Sequence, residues 1–340
     1  MVFPSLTASI ITFTISAVVI VTAGSRLARV ADELADRTGL GEALFGIFLL
    51  AGVTSLPDFA ATLSAALDSR PDLAMSNIMG SMAANLVFLG IADVIYRRAN
   101  LEHAAASPTN LMLAALLIVL LALPLISMAG PAISLWGLHP VTPVIVAAYL
   151  FGLHLVRRTD NKPMWFPRLT RQTVPDKPKH YLSGGLAMAW LNFTALAVVT
   201  GIAGWVVMES AKSISDQTGL SETLIGGLFT ALATSSPELV TTIAAIRRGA
   251  LTLAVSNIFG TNCFNMLVVA AADVGYPGGS IYHDITPIQM TWGLVSILMT
   301  AILLMGMVRR ELYGIGRIGF ESALILLIYT VTLSIVVASG

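Results

Sequence analysis

Thr54-Ser55-Leu56-Pro57-Asp58 returns 180 residues later as Thr234-Ser235-Ser236-Pro237-Glu238, and this recurrence decides the fold. At the same offset Thr38-Gly39-Leu40 falls on Thr218-Gly219-Leu220, Glu42 on Glu222, Gly46 on Gly226 and Thr62 on Thr242. Ser76-Asn77-Ile78 falls on Ser256-Asn257-Ile258, Gly80 on Gly260, Asn85 on Asn265, and Ala92-Asp93-Val94 on Ala272-Asp273-Val274. About sixty residues align without an insertion, the mark of a duplicated unit.

The solvent of that unit follows from composition. Apolar residues make up 56% of the chain, charged ones 11%, and the mean hydropathy is +0.83. A soluble domain carries about a quarter charged residues, so the solvent is a bilayer. A formal charge of zero removes any case for nucleic-acid binding. The single Cys263 lies in an apolar run and reads as a small hydrophobe. No base precedes the first apolar run, and Arg26 and Arg29 follow it, which predicts a retained span and not a cleaved leader.

A helix needs about 20 apolar residues to cross the hydrocarbon core. That rule predicts ten spans, near 6–26, 43–67, 72–96, 109–128, 140–156, 184–209, 222–246, 251–273, 285–308 and 319–338. With the N-terminus outside, nearly every Lys and Arg falls in an inside loop, and only Arg70 and Lys212 fall outside. Both termini are then expected outside, with a cytoplasmic linker at 157–183, rich in Pro, Lys and Arg. The fold class expected is an all-α membrane protein: ten transmembrane helices in two five-helix repeats, 1–156 and 184–340. An odd number of crossings per repeat makes the two inverted, as in many secondary transporters with sites at the midplane.

Asp58 and Glu238 fall within spans, where a carboxylate costs about 2.5–3.5 kcal/mol on insertion scales. Neither span carries a Lys or Arg near its acid, so a proton, a polar side chain or a bound cation must compensate. Pro57 and Pro237 each remove a backbone donor and free a carbonyl one turn back. Thr54 and Thr234 share a helical face with the acids. The next spans carry polar stripes, Asn77, Ser81, Asn85 and Asn257, Thr261, Asn265, interrupted by Gly80 and Gly260. All these are hard oxygen donors, with no symmetric His or Cys, which disfavours zinc or copper and suits Ca²⁺ or Na⁺. The competing reading of such Ser, Thr and Asn residues is interhelical hydrogen bonding worth about 0.6–2 kcal/mol. That reading weighs most for Thr62, Thr242, Asn77 and Asn257 and least for the two acids. Asp93 and Asp273 close their spans and are expected at the interface.

The paired motifs resemble the two alpha repeats of the calcium/cation antiporter superfamily, and within it the sodium/calcium exchangers. The family pattern is approximately G-T-S-x-P-E followed by G-N-x-x-G-S-N-x-x-N, repeated once. Here it reads Val53-Thr54-Ser55-Leu56-Pro57-Asp58 with Ser76 to Asn85, and Ala233-Thr234-Ser235-Ser236-Pro237-Glu238 with Ser256 to Asn265. The resemblance implies Asp58 and Glu238 as central acidic metal ligands. Thr54, Ser55, Ser81, Thr234, Ser235 and Thr261 would supply hydroxyl or carbonyl oxygens, with Asn85 and Asn265 completing the set. Departures are Asp58 where many relatives carry Glu, Val53 and Ala233 for Gly, and Met82 and Ala84 for Asn and Phe. Asn265, where potassium-dependent relatives carry Asp, weakens the case for K⁺.

The expected activity is exchange of Na⁺ for Ca²⁺ across the cell membrane (plasma or inner) by alternating access, with net charge movement. No cofactor is expected beyond the transported ions, and no protein partner is assigned. A proton could replace Na⁺, and another divalent cation Ca²⁺, in the same fold. An intramembrane enzyme is the rival from another class, disfavoured because no His-Glu-x-x-His motif and no general-base histidine accompanies the acids. A non-transporting cation-binding protein is another.

Overall fold

The computed structural model describes residues 3–38, 45–96, 100–135, 137–161, 165, 185–312 and 318–339. The expected linker lies almost wholly outside them, as do Gly39, Leu40 and Glu42 of the repeat. The first helix, α1, runs continuously over residues 6–38 through a π-helical turn at Ile20–Gly24. There follow α2 (Phe45–Thr54), α3 (Leu56–Leu67), α4 (Pro71–Tyr96), the short α5 (Leu101–Ala105), α6 (Pro108–Ala129) and α7 (Val141–Asn161). The second half holds α8 (Leu186–Thr218), α9 (Glu222–Thr234), α10 (Ser236–Arg248), α11 (Leu251–Gly275), α12 (Pro287–Arg309) and α13 (Phe320–Ser339).

The duplication extends well beyond the motifs. Each long helix has a counterpart near 180 residues on, and α1 and α8 begin and end at equivalent positions, 6–38 and 186–218. Among the described residues eight helices are long and apolar enough to cross a membrane. The predicted spans at 43–67 and 222–246 are each two shorter helices meeting at Ser55 and Ser235. Both serines leave helical ψ, at 0° and 2°, just ahead of Pro57 and Pro237. The ring removes a donor and crowds the preceding turn, so the helix restarts there. Helix α8 has 33 residues, about 50 Å at 1.5 Å per residue. The hydrocarbon core is about 30 Å, so α8 is longer than one perpendicular crossing requires. The span predicted at 184–209 falls nine residues short because Glu209 and Lys212 interrupt its apolar run.

Helices α4 and α11 form the centre, buried along most of their length, with α1 and α8 outside them. Close approach is made by glycines. A Cβ on Gly24 of α1 would lie 2.6 Å from Pro237 Cγ, and one on Gly204 of α8 would lie 2.6 Å from Pro57 Cα. These two contacts are each other's equivalents, and each joins the outer helix of one half to the proline break of the other. Gly80 is another such approach: α4 stays helical there and meets the Gly227 backbone.

Asp93 and Asp273 lie near the ends of α4 and α11. Both are fully buried. Asp93 accepts backbone N–H bonds from Leu101 at 2.7 Å and Gly319 at 3.0 Å; Asp273 accepts them from Ile281 at 3.0 Å and His139 at 3.2 Å. Leu101 and Ile281 are equivalent positions, and so are His139 and Gly319. Each aspartate therefore ties the loop after its own helix to a segment of the other half, satisfying N–H groups that burial would otherwise orphan.

Candidate cation site between the two proline breaks

The two helix breaks place Asp58 and Glu238 in the first turns of α3 and α10. A helix N-terminus favours a carboxylate by about 0.3–1 kcal/mol, less than the cost of placing one in a span. Both side chains are fully buried. Each is faced by side chains of the opposite half, and Asp58 also by Ser81 of its own half. Ser81 Oγ donates to Asp58 Oδ1 at 2.7 Å, and Ser235 Oγ, from beyond the second break, donates to Oδ2 at 3.4 Å. Thr234 Oγ1 lies 3.5 Å from Ser81 Oγ, and Thr234 and Asn265 also face Asp58. Thr54, from the first break, faces Glu238.

Around these acids lies a set of buried oxygens with no hydrogen-bond partner: both oxygens of Glu238, Ser55 Oγ, Thr261 Oγ1, and the amide oxygens of Asn85 and Asn265. Buried polar atoms in proteins are overwhelmingly paired, so this concentration marks a site built for a ligand. The donors are carboxylate, hydroxyl and amide, the chemistry of a hard cation. Among the described residues no group of three or more His, Cys, Asp or Glu could hold a metal. A cation held here would be shared by two carboxylates and neutral oxygens. No basic side chain among the described residues forms an ion pair with Asp58 or Glu238.

All ten positions singled out in the sequence lie in these two breaks or in the facing stretches of α4 and α11, and all are buried. Thr54 Oγ1 donates to the Ala51 carbonyl at 3.2 Å and Thr234 Oγ1 to Thr230 at 2.8 Å, so both hydroxyls are anchored within their own helices. Asn77 donates to Thr62 at 3.0 Å, a structural bond, whereas Asn257 and Thr242 carry no such bond. Those two line a cavity of about 80 Å³ with Ala28, Arg29 and Leu50, one turn along α10 from Glu238.

Asn262 was missed by the sequence reading. Its amide donates to the Met82 carbonyl at 3.0 Å and accepts from Asn85 at 2.9 Å. Positions 82 and 262 are equivalent in the repeat, so this contact sits where the halves cross. Residue 82 is Met, which hid the pair. A second omission is an ion-pair cluster on the α3–α4 turn. Lys212 of α8 bonds Asp68 and Glu209, Ser64 donates to Glu209 at 2.9 Å, and Arg70 bridges Asp216 at 2.8 Å and Glu222 at 3.1 Å.

The family description "Sodium/calcium exchanger protein" matches residues 8–157 and 187–338. The inner membrane protein YrbG of Escherichia coli (strain K12) is 27% identical over 285 residues, covering 84% of this chain and 83% of that protein. Among solved structures, an H⁺/Ca²⁺ exchanger, CAX, superposes with a TM-score of 0.66 at 13% identity, over 97% of this chain and 85% of that one. The sodium-calcium exchanger NCX_Mj does so at 0.60 and 18%, over 97% and 99%. At those identities the likeness is one of fold. With both halves matched across the two broken helices, this multi-pass membrane protein belongs to the sodium/calcium exchanger family.

Proposed function

We propose that this cation/Ca²⁺ antiporter uses a Na⁺ gradient to move Ca²⁺ through a site made by Asp58 and Glu238. The observation that carries the reading is the pair of buried, base-free acids amid unpartnered oxygens. Thr54, Ser55, Ser81, Asn85, Thr234, Ser235, Thr261 and Asn265 complete the coordination through hydroxyl, amide or backbone oxygens. The Thr54 and Thr234 hydroxyls are spent within their helices, so these two act through carbonyls or after rotating. The acids carry two negative charges, which one Ca²⁺ or two Na⁺ neutralise. Exchange with a third Na⁺ moves net charge.

In this reading each broken helix pair counts as one crossing, which gives ten. The halves are inverted, the termini face outside, and the membrane is the plasma or inner membrane. Helices α1 and α8 slide across the proline breaks on Gly24 and Gly204, exposing the site to one side at a time. Such motion of repeats about a fixed midplane site is the general solution for secondary transporters. The cavity ending at Thr242 and Asn257, with Arg29 at its rim, is the route to the cytoplasm.

The test is ⁴⁵Ca²⁺ uptake into proteoliposomes loaded with Na⁺, with a Na⁺-free external medium. Uptake should rise well above that of the Asp58→Ala/Glu238→Ala protein and respond to membrane potential. Uptake driven by a pH gradient without Na⁺ would replace Na⁺ by H⁺ as the coupling ion. No uptake above the double variant under either gradient rejects the antiporter site.

A further inference from the structure

The two loops clamped by Asp93 and Asp273 are built alike and filled differently. At the Asp273 end Thr142 Oγ1 donates to Asp273 at 2.5 Å and lies 3.3 Å from the Tyr282 hydroxyl, while Ser280 Oγ and both His283 ring nitrogens have no hydrogen bond among the described residues. The equivalent positions at the Asp93 end are Ser322 for Thr142, Glu102 for Tyr282 and Glu321 for Val141. The same architecture thus closes one end with a phenol and an aliphatic side chain and the other with two carboxyl groups. The fold itself has no need of those acids.

Neither acid has a hydrogen-bond or ion-pair partner among the described residues. Glu102 is 3% exposed and Glu321 fully buried, and all four carboxyl oxygens lack a hydrogen bond. Asn100, 1% exposed, has both amide atoms unpartnered. It points into the same spot: a Cβ on Gly319 would collide with Glu321 Oε2 and stand 2.9 and 3.0 Å from Asn100 Nδ2 and Oδ1. Asp93 holds the Leu101 and Gly319 backbones together, so the Glu102 and Glu321 segments converge. No ion pair to Glu102 or Glu321 occurs among the described residues; nearby, Arg310 donates to the His103 carbonyl and Arg309 pairs with Glu311. Burial, then the Asp93 and Glu321 charges, push the Glu102 carboxyl well above the usual carboxylate range.

We propose that Asn100, Glu102 and Glu321 form a second divalent-cation site at the end of the bundle where α4, α5, α12 and α13 meet, separate from the Asp58 and Glu238 centre. Two carboxylates and an amide oxygen at the edge of the bundle leave positions for water, the mixed coordination that Ca²⁺ and Mg²⁺ accept. Ions there join α5 to α13, segments already stitched by Asp93, and so brace the end of the helices that carry the central site. The proposal stands apart from the transport reading, since it uses none of its residues.

The experiment is equilibrium binding of ⁴⁵Ca²⁺ to the full chain in nanodiscs. In the Asp58→Ala/Glu238→Ala background, one Ca²⁺ per chain should remain bound, and adding Glu102→Gln/Glu321→Gln should remove it. Gly319→Ala in the same background keeps both carboxylates and intrudes on the cradle, and should weaken the residual binding at least tenfold. The Glu102→Gln/Glu321→Gln protein with its central acids intact should still bind Ca²⁺ and elute as one species, which separates a lost site from a lost fold. If that variant misfolds, Gly319→Ala alone decides. No residual Ca²⁺ in the first background, or residual binding indifferent to all these changes, overturns the second site.

Discussion

Ser81 makes the shortest bond at the centre, 2.7 Å to Asp58, while its equivalent, Thr261, has none. A hydrogen bond to a charged group is worth about 1.5–3 kcal/mol, so Ser81→Ala should raise the KM for Ca²⁺ about tenfold to a hundredfold. Initial rates of ⁴⁵Ca²⁺ uptake across a Ca²⁺ series measure it, and an unchanged KM would remove Ser81 from the site. The acids were legible in the sequence because a carboxylate inside a span is expensive and this cost occurs twice at one spacing. Ser81 and Asn265 were legible because they share a helical face near the expected depth of those acids. Asn262 was not, since its equivalent is Met82 and, besides accepting from Asn85, it donates to the Met82 main-chain carbonyl, an acceptor that no pattern of side chains announces. Asp93 and Asp273 read as interfacial for the same reason: their partners are backbone N–H groups from distant segments.

At the scale of the helix, the breaks at Ser55 and Ser235 rest on proline and are the part of the fold that local chemistry dictates. What presses on them was hidden. Gly24 and Gly204 look like ordinary glycines in apolar runs until the opposite half arrives at Pro237 and Pro57. Gly204→Ala would drive a methyl into the Pro57 backbone, and overpacking of this kind costs about 1–3 kcal/mol. The expected outcome is a lower thermal midpoint together with slowed exchange, since α8 is proposed to move across that surface. Gly201→Ala, on the same helix with nothing within 4 Å of the added carbon, is the control and should change neither. Equal behaviour of the two variants would deny the contact any role. The π-helical turns at Ile20–Gly24 and Ile225–Thr230 had no sequence signal either. They end or lie just before the close approaches and the second break, where one extra residue per turn re-aims the side chains beyond it.

For the whole molecule, the duplicated sequence states that two halves exist, and the proposed ten crossings would relate them by inversion. That relation makes a sharp prediction at the turn between the broken helix and the central one. In the first half Ser69 has φ 57° and Arg70 N–H bonds the Ala65 carbonyl at 3.0 Å; in the second Gly249 has φ 83° and Ala250 bonds Ala245 at 3.0 Å. The turns are therefore the same object, built at equivalent positions. Their surroundings carry opposite charge signatures: the first is clasped by the Lys212, Asp68, Asp216 and Arg70 network, while the second carries Arg247 and Arg248 in succession. The proposed inversion would put the first turn outside and the second in the cytoplasm, where the excess of basic residues belongs. Ser69→Cys and Arg247→Cys, each exposed and each made in a Cys263→Ala background, should react with a membrane-impermeant maleimide from opposite faces of intact cells. Ser69→Cys should label without permeabilisation and Arg247→Cys only after it. Labelling of both from one side would mean parallel halves. The two acids would then have to reach a common depth by some other symmetry, and alternating access by exchange of equivalent halves would lose its structural basis.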